Sequence, residues 1–288
     1  MNITASYSSI KTRGTTLYSA DPSSWENFSS VPSDAIFFGR LAGDGADSST
    51  DESVFIGLSA GEQSSGSLQS VFIGESAGAA APNVDRTVAI GNFAGRGVAN
   101  GTSDAVILGT SASLNAGVAD HCVTIGTTAG AESISGSYIV RVGYEAGAYD
   151  NGANANAVFI GSSTGRHSYG INDSICIGRV AATGSSLSNG SINLGVNAAG
   201  FSEGNQYSIS IGLNAGAGAS GSDYFTAIGA NAGRSSGSAI TPPAQQNSVL
   251  IGRQAGFNAQ GALIGTVAIG YDALVICHNL CLLVKKLE

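Results

Sequence analysis

The 288-residue sequence has few charged residues, cysteines or prolines, and a single tryptophan. Only 11% of the residues are charged and 43% are apolar, so the chain can bury a core and is not a disordered tail. The net charge of −8 argues against nucleic-acid binding, which requires a basic face. No apolar run reaches the roughly 18 residues that a membrane-spanning helix needs. We therefore predict no nucleic-acid partner and no membrane insertion.

Targeting and metal-binding patterns are also missing. The segment from Met1 to Ser30 is polar and lacks the apolar stretch of a secretion signal. The four cysteines, Cys122, Cys176, Cys277 and Cys281, form no C-x-x-C pair, and no histidine cluster accompanies them as a zinc site would require. We interpret them as free buried thiols in a reducing compartment. We expect no metal and no cofactor.

What the sequence has in abundance is glycine, 42 residues in all, and much of it belongs to one internal repeat. An apolar-x-apolar-Gly unit recurs fourteen times with a period of 17 or 18, apart from a single spacing of 23. The repeat glycines are Gly39, Gly57, Gly74, Gly91, Gly109, Gly126, Gly143, Gly161, Gly178, Gly195, Gly212, Gly229, Gly252 and Gly270. Self-similarity at such a period is typical of a solenoid, in which stacked units share one continuous core.

Each position of the unit has a physical interpretation. Val or Ile stands three residues before the glycine in thirteen units, and an apolar residue stands one before it in all fourteen. Both lie on the same side of a strand, because strand side chains alternate with a period of two. The glycine allows a sharp turn or a close backbone contact that a Cβ would obstruct. We predict an all-β fold, a parallel β-solenoid (β-roll) of about fourteen 17-residue coils.

The middle residue of each strand is apolar in ten of the fourteen units. We place the two flanking residues in the coil interior, which makes the middle residue point away from it. A strand that is apolar on both faces is covered on both faces, and copies of the same chain supply such a cover by symmetry. We therefore predict a homo-oligomer. The predicted interface residues are Phe37, Phe55, Phe72, Ile107, Phe159 and Leu250.

Several G-x-S-x-G matches suggest a catalytic serine at first sight. The pattern around Ser76 also occurs around Ser59 and Ser163, and no helix-forming sequence follows it, although a nucleophile elbow requires one. The position of Ser76 is taken in other units by Phe93, Glu145, Asn197 or Gln254, so no chemistry is kept there. Neither His121 nor His167 has a convergent carboxylate and nucleophile. We predict no enzyme activity.

The ends and the long spacing differ from the repeat. Residues 1–34 contain Trp25 and are expected to cap the first coil or to attach to another protein. Residues 35–272 form the β-roll. Residues 273–288 are expected to form a helical tail, either a capping helix or a short coiled coil, or an irregular tail. The coiled-coil seam consists of Cys277, Leu280, Val284 and Leu287. The 23-residue spacing predicts a loop at about residues 235–246.

The units resemble two known kinds of repeat. Val249–Gly252 and Val267–Gly270, with their following alanines, resemble the head repeats of YadA-type trimeric autotransporter adhesins. Val54–Gly57 and Val158–Gly161 resemble the FIG-x-x-AG repeats of bacteriophage tail fibres. The resemblance implies a homotrimer of left-handed parallel β-rolls. Adhesin head repeats are usually shorter, and the signal peptide and membrane anchor of those proteins are not found here; nor is the self-cleaving chaperone domain that ends many fibres.

The resemblance implies a structural rather than a catalytic protein. The leading hypothesis is a trimeric bacteriophage fibre or adhesin shaft in the virion, which presents loops for attachment to host-surface polysaccharide or protein. Residues 1–34 would contact other tail or fibre proteins. The first alternative is a bacterial trimeric surface adhesin head on the cell surface. The second is a monomeric solenoid that binds polysaccharide or ice, although the regular threonine ladder of ice binders is missing: Thr124 is the only threonine at the middle strand position.

Overall fold

The apolar-x-apolar segment before each repeat glycine forms a three-residue strand in the computed structural model of the chain, at all fourteen predicted positions. The structure describes residues 35–117, 119–134, 136–150, 154–235, 246–257, 263–273 and 282–284. Its described residues contain no α-helix. Short strands suit this sequence because β-branched residues favour a pleated backbone and glycine ends each strand.

The chain forms two compact units, divided between Tyr138 and Ile139. The strands of the first unit are β1 (Ile36–Phe38), β2 (Val54–Ile56), β3 (Val71–Ile73), β4 (Val88–Ile90), β5 (Val106–Leu108), β6 (Val123–Ile125) and β7 (Gly136–Ser137). Those of the second are β8 (Val140–Val142), β9 (Asn154–Ala155), β10 (Val158–Ile160), β11 (Ile175–Ile177), β12 (Ile192–Leu194), β13 (Ile209–Ile211), β14 (Thr226–Ile228), β15 (Val249–Ile251), β16 (Val267–Ile269) and β17 (Leu282–Val284).

Successive repeat strands within each unit pair in parallel and in register. Val54 lies opposite Val71, and Phe55 lies opposite Phe72. The 23-residue spacing does not disturb this register, since Thr226 lies opposite Val249 as an ordinary repeat neighbour would. The extra residues are therefore excluded from the ladder; the centre of that predicted loop, residues 236–245, lies outside the described residues. The predicted parallel β-solenoid is confirmed, with about thirteen turns that follow the 17-residue repeat.

The core of each coil consists of the middle strand residue and small side chains around it. Phe37, Phe55 and Phe72 are at most 1% exposed. Their rings stack at centroid distances of 5.1 and 4.7 Å, because the in-register ladder places like residues above one another. The alanine three residues after the repeat glycine, as at Ala60, is also buried. The interior of these coils is thus lined mainly by the phenylalanine rings and by alanines.

This burial corrects the predicted orientation of the strands. The six residues assigned to an interface between chains lie inside their own coils, with 0–1% exposure: Phe37, Phe55, Phe72, Ile107, Phe159 and Leu250. The flanking residues, assigned to the interior, are the ones that face outwards, as the burial pattern of each strand shows. The physical reason is space, because both flanking positions are large in nearly every strand, and an interior lined by alanines around the middle residue has no room for two such columns.

The repeat glycines are required by the close approach of successive coils. Gly91 has a φ of +137°, and a Cβ built there would lie 2.5 Å from the carbonyl oxygen of Gly109 in the next coil. The second glycine of the unit makes room for the core instead. A Cβ on Gly43 would lie 2.9 Å from the Phe37 ring. The repeat glycine is invariant in all fourteen units, whereas the second position also accepts Ser113, Ala182 and Ala199, in coils whose middle strand residue is smaller than phenylalanine.

A buried ladder of hydroxyls, which the sequence analysis did not identify, satisfies backbone groups between coils. The Ser70 hydroxyl donates to the carbonyl oxygen of Val84 at 2.8 Å and accepts from the backbone N–H of Thr87 at 3.2 Å. Ser174 repeats the arrangement in the second unit, donating to the carbonyl oxygen of Ser188 and accepting from the N–H of Ser191. Buried backbone groups without partners are costly, so serine four residues before the repeat glycine stabilises the coil stack.

The described part of the carboxyl-terminal segment is a strand and not a helix. β17 pairs in parallel with β16, and Val284 lies opposite Ile269. The predicted helical seam is therefore wrong at Val284. Its other members, Cys277, Leu280 and Leu287, lie outside the described residues, as do residues 1–34.

Replacing Gly91 by alanine should test the close contact between coils. We expect Gly91→Ala to lower the free energy of unfolding by about 3 kcal/mol, because left-handed strain costs about 1–3 kcal/mol and the contact with Gly109 forces the backbone to shift. Chemical denaturation followed by circular dichroism, at one protein concentration, measures the change.

The matched control is Gly101→Ala in the same unit. Gly101 also has a positive φ, +90°, but a Cβ there would meet no atom within 4 Å. The substitution should cost the strain alone, about 1 kcal/mol at the lower end of that range. Equal losses of stability for the two variants would contradict the close-contact explanation.

Candidate interaction surface

The outward-facing residues of the repeat strands form two parallel columns, which we call the aliphatic stripe. They stand three residues and one residue before each repeat glycine. The most exposed members, at 36–60%, are Ile36, Phe38, Ile90, Ile160, Ile175, Ile177, Ile192 and Ile269. Because the ladder is in register, residues of one column lie at the strand spacing of roughly 4.8 Å. Each unit thus carries a continuous, almost wholly apolar surface.

The composition of the stripe is uniform. Of its 28 positions, only Thr226 is polar, and none is charged. The core position between the columns varies much more, and includes Arg141, Asn193 and Ser210. A water-facing strand surface is ordinarily polar. A solvent-facing surface that is more uniformly apolar than the core it covers therefore indicates a requirement beyond folding of the single chain.

Two further outward-facing columns border the stripe, and we call them the flanking columns. They stand five residues before and one residue after each repeat glycine. Most of their charged residues have a partner in the same column. Gln69 donates to Glu52 at 2.6 Å, and Asn92 donates to Glu75 at 3.0 Å. An apolar centre with a polar border is the organisation of a protein–protein interface.

The strongest electrostatic contact in the flanking columns joins Arg86 and Asp104. The guanidinium donates two hydrogen bonds to the carboxylate, at 2.6 and 2.8 Å. These bonds lower the pKa of Asp104 and raise the pKa of Arg86. His121 lies 3.6 Å from the same carboxylate and stacks on Tyr138. This chain of contacts joins four successive coils along one column.

The serines of the G-x-S-x-G matches lie in ordinary turns. Ser76 has a φ of +51°, and Ser59 and Ser163 have φ values of +52° and +54°. The backbone N–H of Ser76 donates to the carbonyl oxygen of Leu58 in the preceding coil. The turn leads to the next coil and not to a helix. The geometry is that of a repeated corner of the solenoid.

The remaining candidate residues are dispersed. His167 stacks on Tyr149 at 5.4 Å, and Phe201 is 70% exposed. Phe257 lies under the guanidinium of Arg234. Across the described part of the chain, no group of three metal-ligating side chains converges, and no helix is long and apolar enough to cross a membrane.

One buried ion pair, Arg141 with Asp150, was missed by the sequence analysis. Arg141 occupies a core position that is phenylalanine in other coils and is 1% exposed. Its Nη2 donates to Asp150 Oδ2 at 3.3 Å, and Asn154 donates to the same oxygen at 3.2 Å. Arg141 Nε and Nη1 have no hydrogen-bond partner among the described residues. Such a partly paired buried ion is weak evidence for stability, and no sequence signal marked it as interior.

No protein-family model matches the chain, and no curated protein matches it either. Any functional proposal therefore rests on the geometry of the stripe and on the repeat pattern.

The core thiol provides a test of the corrected strand orientation. Cys176 is fully buried, and burial raises its pKa to about 12 even though Asn193 donates to its sulfur. At a mildly alkaline pH the folded thiol stays protonated, so we expect no alkylation by iodoacetamide until denaturant is added. Mass spectrometry of the Cys176 peptide measures the extent of alkylation before and after denaturant is added. Rapid alkylation in the native state would place the middle strand position on the surface instead.

Proposed function

We propose that the chain is a subunit of a homotrimeric bacteriophage fibre or adhesin shaft, in which the aliphatic stripes of three copies pack together. The observation that carries the proposal is the stripe itself, which is exposed in both units and contains no charge. Apolar patches of this extent on soluble proteins mark interaction sites. We therefore place the interface between copies at the stripe and not at the buried phenylalanines.

A second copy of the same chain fits this surface better than an unrelated partner. Its own stripe has the same spacing between rows and the same width, so each aliphatic residue meets another along the whole repeat. The flanking columns add a polar rim to both sides. Symmetric self-association is also the commonest way in which a chain covers such a face.

The number of copies and the biological setting come from the repeat pattern. The FIG-x-x-AG units resemble those of tail fibres, and the resemblance implies three chains. In a fibre, the trimer would belong to the virion, would attach through residues 1–34 and would present turn residues to the host surface. Three identical binding sites on one shaft raise the effective concentration at the receptor, so weak single contacts suffice. A bacterial surface adhesin head is the alternative that shares this architecture.

Absolute mass in solution decides between association and a lone solenoid. We expect light scattering after size exclusion to give about 86 kDa, three times the chain mass of 28.5 kDa. A stable monomer at all accessible concentrations would contradict the proposal. A ligand-binding monomeric solenoid would then be the better interpretation.

A charge placed in the stripe should prevent association. We expect Ile160→Lys to shift the mass towards one chain, because each copy would bury an unpaired ammonium in the apolar interface. Ile160 is 37% exposed in the single chain, so the coil itself accepts the substitution.

The control is Leu187→Lys, at a residue that is 49% exposed and lies outside the stripe and the flanking columns. It should leave the mass unchanged. Dissociation by both variants would mean that the stripe is not the interface.

A further inference from the structure

The eleventh strand carries a charge of opposite sign on each border of the stripe. In the segment Asp173–Arg179, four side chains are exposed: Asp173, Ile175, Ile177 and Arg179. Ser174 and Cys176, between them, are buried. The outward surface of this coil is therefore negative at one edge, apolar in the middle and positive at the other edge.

These two charges lack an opposite charge along their own columns. Asp173 has Asn156 and Gly190 as its column neighbours, and it accepts a hydrogen bond from Asn156 Nδ2 at 3.0 Å. Arg179 has Ser162 and Val196, and among the described residues it makes no ion pair. Arg86 and Asp104 differ, since they pair within their column, whereas Glu52 and Glu75 have neutral amide partners. Among the coils whose two borders are both described, the eleventh strand is the one with opposite charges on its two borders.

Asp173 and Arg179 of one chain are too far apart to form an ion pair with each other. Six steps of largely extended backbone, including the strand Ile175–Ile177, separate them. At about 3.3 Å per residue, this places them on opposite borders of the stripe, roughly 15–20 Å apart. Only a second molecule can bring the two charges together.

We propose that Asp173 of one copy pairs with Arg179 of the neighbouring copy, and that this ion pair sets a parallel, in-register arrangement of the chains. The inference rests on the proposed self-association through the stripe. When solenoids pack side by side in parallel around a symmetry axis, the leading edge of one stripe meets the trailing edge of the next at the same coil. When they pack antiparallel with this coil aligned, equal edges meet, and Asp173 faces another Asp173.

The pair contributes specificity more than affinity. Exposed ion pairs are worth little, about 0–1 kcal/mol, whereas like charges placed together are strongly unfavourable. The same order of residues occurs once more in the sequence, from Asp34 to Arg40 at the first coil. Arg40 is exposed and makes no ion pair with the described residues; Asp34 lies outside them. A second copy of the pattern at a distant coil would reinforce the same register.

A zero-length cross-link tests the pairing directly. In the Arg179→Lys variant, a carbodiimide forms an amide between a carboxylate and the new amine, with loss of water to the reagent, only where the two groups touch. We expect cross-linked chains on a denaturing gel, and a peptide map that joins Asp173 to the lysine introduced at position 179. The distance within one chain excludes an intramolecular junction. The control, Asp173→Asn combined with Arg179→Lys, should lose that junction.

Charge exchange gives an independent measurement by light scattering on dilution. Asp173→Arg and Arg179→Asp should each raise the concentration at which the assembly dissociates by at least about tenfold, since each juxtaposes like charges. The double variant should return it to within a few-fold of the original.

The outcomes separate this inference from the proposed function. An assembly of about 86 kDa, three chains of 28.5 kDa, that gives no junction at Asp173, or whose double variant shows no recovery, would overturn the pairing and leave self-association intact. A chain that remains at 28.5 kDa would overturn both. A junction that disappears in the control, with recovery in the double variant, would support the parallel register.

Discussion

The close approach of the repeat glycines is the constraint on which the rest of the structure depends. Within each of the two units, the α-carbon of a repeat glycine packs against the backbone of the glycine in the next coil, where no Cβ fits. The N–H of Gly74 donates to the carbonyl oxygen of Ile56, and that of Gly91 to Ile73, so the same contact recurs at each step. This contact keeps equivalent residues of successive coils in line, also across the 23-residue spacing between Gly229 and Gly252. Columns of like side chains, inside and outside, follow from it.

The sequence was sufficient for the period, the strands and the parallel register, because these depend on residue types that recur at fixed positions. It was insufficient for strand orientation, since both faces are apolar and alternation alone cannot tell them apart. Side-chain size contained the missing signal. The position four before the glycine is mostly small, as at Ser53 and Ser70, which marks its face as the crowded one. Gly43, directly against the Phe37 ring, is a second mark of the same face.

The coils of the chain differ from one another much more at the core position than in the aliphatic stripe. The interior accepts phenylalanine, alanine, asparagine and even Arg141, which donates to Asp150, and Asn154 donates to the same carboxylate. Each coil closes its own small core, which also holds polar residues: Asn193 donates to Cys176 in the preceding coil, whereas the Thr124 hydroxyl has no hydrogen-bond partner among the described residues. The exterior stripe accepts almost nothing except Val, Ile, Leu and Phe. Folding of one chain explains the first pattern but not the second, because an exposed strand face gains nothing from being uniformly aliphatic.

A uniform apolar stripe cannot by itself determine how two copies align along the stack of coils. If one copy slides along another by a single coil, each aliphatic residue meets an equivalent one, and only the contacts at the ends are lost. Hydrophobic burial is non-directional and cannot oppose that shift. Residues that do not repeat must therefore define the register, and they must stand beside the stripe, where they meet the partner without entering the apolar centre. Asp173 and Arg179 meet both conditions, and a shift by one coil would set Arg179 opposite Asn156 or Gly190 instead of a carboxylate.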